Sequence, residues 1–268
     1  MTSVTGRIKM VKQPRGGYLN PRQFQVVELE PLGVLHEEEN IHASLVGIAV
    51  DYLTRWNRVA GEWPNRWWNF RARRESALVA ERAFEISLLG ARLIGDEDHA
   101  RKLIKSVRGL DRKSIVSACQ LAGYDVVYRA GVSGYREVRD IAPDRRTVEN
   151  VATMVRRSTA FLDEYGPVTL DGFTLEGGYT DWVTVADGDY VTVDALWDFK
   201  VSKNPPKKEA TLQILMYYLM GRRAGIPEFE NLRRIGLYNP RLSRAYVLEA
   251  KDIPPRVIYE VERDVIGY

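Results

Sequence analysis

The chain has 268 residues, 45% hydrophobic and 28% charged, which is ordinary globular usage and argues against a disordered or membrane-embedded class. Its formal net charge of +3 permits a nucleic-acid partner without singling one out, because clustering on one face decides that question. A single cysteine, Cys119, excludes an intramolecular disulfide, a four-thiolate zinc site and an iron–sulfur cluster held by this chain's cysteines alone.

No apolar run approaches the roughly 20 residues needed to span a bilayer, and the polar, basic stretch from Met1 to Arg22 has no apolar secretory core. The expectation is a cytoplasmic protein with no membrane partner and a buried thiol at Cys119. The length suits a single mixed α/β domain, 1–268, with a large helical elaboration in its N-terminal half.

Residues 1 to about 40 hold Pro14, Gly16, Gly17, Pro21, Pro31 and Gly33 around Phe24-Gln25-Val26-Val27, which reads as an extended arm with one short strand. From Asn40 the apolar residues Ile41, Leu45, Val46, Ala49, Tyr52, Leu53 and Trp56 recur at helical spacing, predicting a helix over 41–58 with His42 on its inward side. Trp63 to Arg74 then interleaves aromatics with Arg66, Arg71, Arg73 and Arg74. That mixture suits stacking on bases and neutralising phosphates, although solvated arginines around core-plugging tryptophans give the same pattern.

One or two helices are expected over 75–106, broken near Gly95-Asp96-Glu97-Asp98, where the acidic cluster with His99 reads as a solvated cap rather than a metal site. Asp111 caps a helix that Gly123 ends near Leu121, and Tyr124 to Tyr128 alternates as a short strand. A further amphipathic helix runs from Arg146 to Tyr165, completing a mainly helical part over 41–166.

After Gly166-Pro167 the period changes to that of strands. Phe173 to Val185 and Tyr190 to Val201 read as a hairpin with Asp187-Gly188-Asp189 between them, followed by a helix over 208–223. A second hairpin around Asn239-Pro240-Arg241 completes a catalytic part over 167–250, and a short helical tail occupies 251–268.

The chemistry concentrates here. Asp198 and Lys200 lie two apart on a strand and so share a face, while Gln213 and Tyr217 lie four apart on one face of the next helix. Asp181 on the partner strand could supply a second carboxylate, and converged carboxylates suit Mg²⁺ or Mn²⁺ with room for water. A tight turn at Asp187-Gly188 would leave Asp181 about 13 Å along the strand from Asp198, at roughly 3.3 Å per residue. Shared ligation therefore predicts a longer or bulged loop centred near Asp189 and Tyr190.

The order Gly178-x-x-Asp181, Asp198-x-Lys200 and Gln213-x-x-x-Tyr217 resembles the RecB-like branch of the PD-(D/E)XK nuclease superfamily over about residues 172–240. The resemblance implies a restriction-endonuclease-like core, a mixed central sheet flanked by helices. It implies that Asp181 and Asp198 bind the metal with the carbonyl of Phe199, that Lys200 serves catalysis, and that Gln213 and Tyr217 position water or DNA. An upstream histidine often adds a ligand in that branch; His42 is the first candidate and His36 the fallback. With Lys203 joining the arginines as a nucleic-acid contact, the reading is a Mg²⁺- or Mn²⁺-dependent DNA nuclease that acts through a metal-activated water. The alternatives are an inactive nucleic-acid-binding or scaffolding protein of the same fold, and an RNA-directed nuclease.

Overall fold

The computed structural model describes residues 1–61 and 82–268. These divide into two compact units, one formed by Met1–Glu30 with Phe161–Tyr268 and the other by Pro31–Ala160. Among the described residues no helix is long and apolar enough to cross a membrane.

The first unit is built on a six-stranded mixed sheet. Its strands are β1 (Gln25–Glu28), β2 (Val168–Thr174), β3 (Asp187–Thr192), β4 (Ala195–Phe199), β5 (Arg234–Asn239) and β6 (Arg244–Glu249), in the order β1-β6-β5-β4-β3-β2. Only β4 and β5 are parallel. A parallel neighbour requires a crossover, and the helix Lys208–Arg223 supplies it, lying against β4 and β5.

Alternation along the strands sorts their side chains into two layers. Val191, Leu196, Ile235, Leu237, Tyr246 and Leu248 join the crossover helix's Leu212, Leu215, Met216 and Leu219 in one core. Tyr190, Trp197, Tyr238, Ala195 and Ala245 face the other way, onto Phe161 and Leu162. Phe161 stacks on Tyr238 with ring centroids 3.9 Å apart and meets Trp197 edge-on at 4.8 Å.

The N-terminal arm is not merely extended. Val4–Met10 forms a helix, α1, whose N-cap Ser3 Oγ accepts the Gly6 N–H and whose Val4 and Ile8 are buried in the core shared with the crossover helix. A single apolar i,i+4 pair among basic residues is too short a pattern to announce a helix; tertiary burial makes it one. Arg7 fixes it by donating from Nε to the Val265 carbonyl at 2.8 Å and from Nη2 to the Asp264 carbonyl at 3.0 Å.

The second unit is helical: α2 (Ala43–Gly61), α3 (Glu85–Leu93), α4 (Glu97–Ser106), α5 (Arg112–Ala130) and α6 (Arg145–Tyr165), whose last turn from Phe161 belongs to the sheet unit. Asp111 caps α5 as expected, its Oδ1 accepting the Lys113 and Ser114 N–H groups. The strand expected at 124–128 is instead the continuation of α5. Gly123 does not end the helix; it lies where Val138 and Ile141 pack closest to it. Tyr52 and Arg129 both engage the buried carboxylate of Asp125, which ties α2 to α5. Cys119 is fully buried in α5, and burial pushes its thiol up to about 12.

Two outcomes follow from this packing. Trp197 pairs with Gly236 across the parallel ladder, and a Cβ at Gly236 would stand 2.2 Å from the Trp197 ring. Gly236→Ala is therefore expected to cost about 1–3 kcal/mol through overpacking, seen as a lower urea midpoint with unchanged slope; an unaltered midpoint would refute the packing. Cys119 should resist thiol reagents in the native protein and react on unfolding, so rapid native labelling would contradict its burial.

Candidate active site

Labelling the crossover helix α7 (Lys208–Arg223), the site is the patch where the α7 face of the sheet meets the middle of that helix. Strands β3 and β4 are joined by only Val193 and Asp194, and their ladder pairs Tyr190 with Trp197 and Val191 with Leu196. One step further along that register places Asp189 opposite Asp198. Residues directly opposite in an antiparallel pair project to one face, here the face of Val191 and Leu196, which α7 covers.

Asp198 is 2% exposed, a costly position for a carboxylate. Lys200 offsets the cost, its Nζ standing 2.7 Å from Asp198 Oδ2. Asp189 is held by the chain itself, since the Phe199 N–H donates to its Oδ2 at 2.7 Å. Asp187, two residues earlier on β3, keeps the same parity.

From the helix side, Gln213 Nε2 donates to the Tyr217 hydroxyl at 2.8 Å. Burial pushes the Tyr217 phenol well above its ordinary range; Asp198 and then Asp189 and Asp187 raise it further, against the lowering effect of the Gln213 hydrogen bond. The phenol therefore stays protonated at neutral pH, and its hydroxyl lies in the field of all three carboxylates.

The expected hairpin is corrected by this register. Asp187-Gly188-Asp189 is not a turn but the first half of β3, with Gly188 paired to Phe173 of β2. The connection is not centred near Asp189 and Tyr190 but on Val193-Asp194. Asp-Gly misled because it is a strong turn signal, whereas here glycine serves a close approach: a Cβ at Gly188 would stand 2.1 Å from the Phe173 ring.

Asp181 is exposed in the connection between β2 and β3. Its neighbour Thr180 accepts the Trp182 and Val183 N–H groups through Oγ1 and donates to the Ile266 carbonyl, forming a local turn tied to the C-terminal segment. Gly178 is needed there for packing, since a Cβ would stand 2.3 Å from the Met220 carbonyl. The ladder thus brings Asp189, rather than Asp181, opposite Asp198. Sequence reasoning missed Asp189, although the alternation Asp187, Asp189, Val191 with Leu196, Asp198, Lys200 carries the signal.

His42 belongs to the helical unit and is exposed rather than inward; it precedes α2, with Nδ1 2.7 Å from Ser44 Oγ and accepting the Ser44 N–H. The His36 ring is engaged by Glu149, Nε2 to Oε2 at 2.6 Å. Near His99, Asp96 accepts from Tyr124 and Arg139, and the arginines at 92 and 101 hold Glu97 down to about 2, so this cluster is an ion-pair network. Lys203 is exposed in the segment between β4 and α7. Arg66, Arg71, Arg73 and Arg74 lie outside the described residues.

Among the described residues no three His, Cys, Asp or Glu side chains form a ready ligand set. The donors on offer are two opposed carboxylates, Asp189 and Asp198, with the Phe199 carbonyl next to Asp198 in the chain. They are hard oxygens, few enough to leave positions for water, which is the donor set Mg²⁺ and Mn²⁺ accept. Opposed carboxylates also gain from a cation that relieves their repulsion. The residues fit such an ion.

Comparison with protein-family models, with curated proteins and with solved structures returned no match to this chain. The site accordingly has to be judged by its own chemistry.

Cation binding is directly measurable. Mn²⁺ at a hundred times its dissociation constant should raise stability by about 2.7 kcal/mol, read as a higher Tm. Asp189→Asn and Asp198→Asn should each abolish the increase, while Asp181→Asn should keep it; a shift insensitive to Asp189 and Asp198 would place the ion elsewhere.

Proposed function

We propose that this chain is a Mg²⁺- or Mn²⁺-dependent nuclease that hydrolyses phosphodiester bonds in DNA. The single observation that carries the reading is the β3–β4 register, which sets Asp189 opposite Asp198 with Lys200 beside them, facing Gln213 and Tyr217 on α7. These are the residue types that the RecB-like pattern of the PD-(D/E)XK nucleases brings together, with Asp189 in the part first given to Asp181.

Asp189, Asp198 and the Phe199 carbonyl would hold the cation. A bound cation would supply Lewis-acid charge able to activate water and polarise a phosphate. The remaining tasks fall to the chain's own groups. Lys200, already paired with Asp198, turns its ammonium to a non-bridging phosphate oxygen and stabilises the negative charge that grows there.

Tyr217 acts as a donor because its phenol remains protonated. Gln213 occupies one lone pair of the hydroxyl oxygen, which directs the O–H proton away from Gln213 and toward acceptors in the carboxylate patch. Together they orient water and the phosphodiester rather than exchange protons with them. His42 is not required by this set.

Cleavage of linear and circular, single- and double-stranded DNA with each metal tests the reading. Asp189→Asn, Asp198→Asn and Lys200→Ala should each reduce the rate by about 10²–10³-fold or more, with Asp181→Asn near wild type. Cleavage that survives Asp198→Asn and Lys200→Ala would sink the mechanism, and a pattern in which Asp181 matters and Asp189 does not would return the second carboxylate to the loop.

A further inference from the structure

A cleft of about 390 Å³ opens beside the candidate active site and shares Lys200 and Gln213 with it. One wall is α1, through Thr5, Ile8 and Lys9; the other is the segment leading into α7, through Lys207 and Glu209. Its volume lies within the roughly 300–1,000 Å³ range of clefts that take small molecules or single units of a polymer.

Three features make its chemistry anionic-ligand chemistry. Lys9, Lys200 and Lys207 outnumber the one carboxylate, Glu209. Lys9 and Lys207 are exposed and pair with no carboxylate among the described residues. The first turn of α7 opens into the same cleft with no side-chain cap, so backbone N–H groups there lack a side-chain acceptor.

The third feature is independent of the lysines' reach. A helix N-terminus carries partial positive charge and favours acidic residues, yet this 16-residue helix has Lys207 at its N-cap and Lys208 at its first position, against the single acid Glu209 in its first turn. The two lysines oppose the macrodipole there, and a bound anion adds to the one negative charge that Glu209 supplies. A phosphate satisfies all of these groups at once, accepting from the uncapped amides while pairing with the ammonium groups.

We propose that this cleft seats a backbone phosphate of the nucleic-acid strand adjacent to the bond being cut, held by Lys9 of α1, Lys207 and the N-terminus of α7. The identity of the ligand as a strand rests on the nuclease reading above. Lys200 borders both the cleft and the carboxylates, so a phosphate in the cleft aligns the neighbouring phosphodiester with the site. The N-terminal helix thereby becomes part of the substrate surface.

Binding of a fluorescein-labelled single-stranded oligonucleotide, measured by anisotropy in EDTA over a range of salt, tests this without turnover. Lys9→Ala/Lys207→Ala should weaken binding about tenfold and lower the salt slope by about 0.7, the share of the one phosphate seated in the cleft. Lys251→Ala, away from the cleft, should change neither, and unchanged melting of the double variant should confirm folding. An unaltered Kd and slope in the double variant would overturn the proposal. So would a loss confined to thermal stabilisation by inorganic phosphate with oligonucleotide affinity unchanged, which would mark a free-anion site. Because cleavage is not measured, failure of the nuclease reading shows separately, as no metal-dependent hydrolysis by a wild type that still binds through these lysines.

Discussion

The pairing register of β3 with β4 is the constraint on which the site depends. Side chains alternate with period 2, so a slip of one residue would carry Asp198 and Lys200 to the aromatic face and bring Trp197 under α7. Both faces resist that slip. Tyr190 and Trp197 are buried against Phe161 on one side, and Val191 and Leu196 against α7 on the other. The short connection adds a lock of its own, because Arg234 clasps the Asp194 carboxylate through Nη2 at 2.8 Å and Trp197 Nε1 donates to Thr192 Oγ1. The position of two carboxylates is thus set by apolar packing that has no chemical role.

That placement opposes stability. A carboxylate at 2% exposure, opposed by a second one across the ladder, carries desolvation and repulsion together. Among the compensations are the Lys200 ammonium at Asp198 and the Phe199 N–H at Asp189. Neither removes the unfavourable field, which is why the Tyr217 phenol, buried beside them, is pushed up by Asp198 and Asp189.

What the sequence disclosed divides along one line, between local and non-local order. The helix over 208–223 and the hairpin around Asn239-Pro240-Arg241 were readable because turn residues punctuate them and apolar periodicity fills them. Asp198 with Lys200, and Gln213 with Tyr217, were readable as pairs because i,i+2 and i,i+4 geometry is local. Asp189 was not, since its role comes from a partner on another strand, and Asp187-Gly188 imitates a turn. Tyr124 to Tyr128 failed differently: alternation over five residues occurs by chance inside a long helix, and the buried residues from Ile115 to Val127 show that helical packing prevailed. The N-terminal helix was invisible because its stability comes from what it covers.

Helix α7 connects these elements. Every residue from Thr211 to Gly221 is buried, with the sheet on one side and α1 on another. A helix so enclosed has little tolerance for polar side chains, and Gln213 and Tyr217 reconcile theirs by bonding to each other on the side of the carboxylates. Thr211 does the same with the Leu19 carbonyl, which fastens the N-terminal segment over the helix. The segment that looked like a loose arm therefore supplies the second wall that buries α7. The arm, the helix and the β3–β4 ladder form one constraint system, and Asp198, Gln213 and Tyr217 are buried within it.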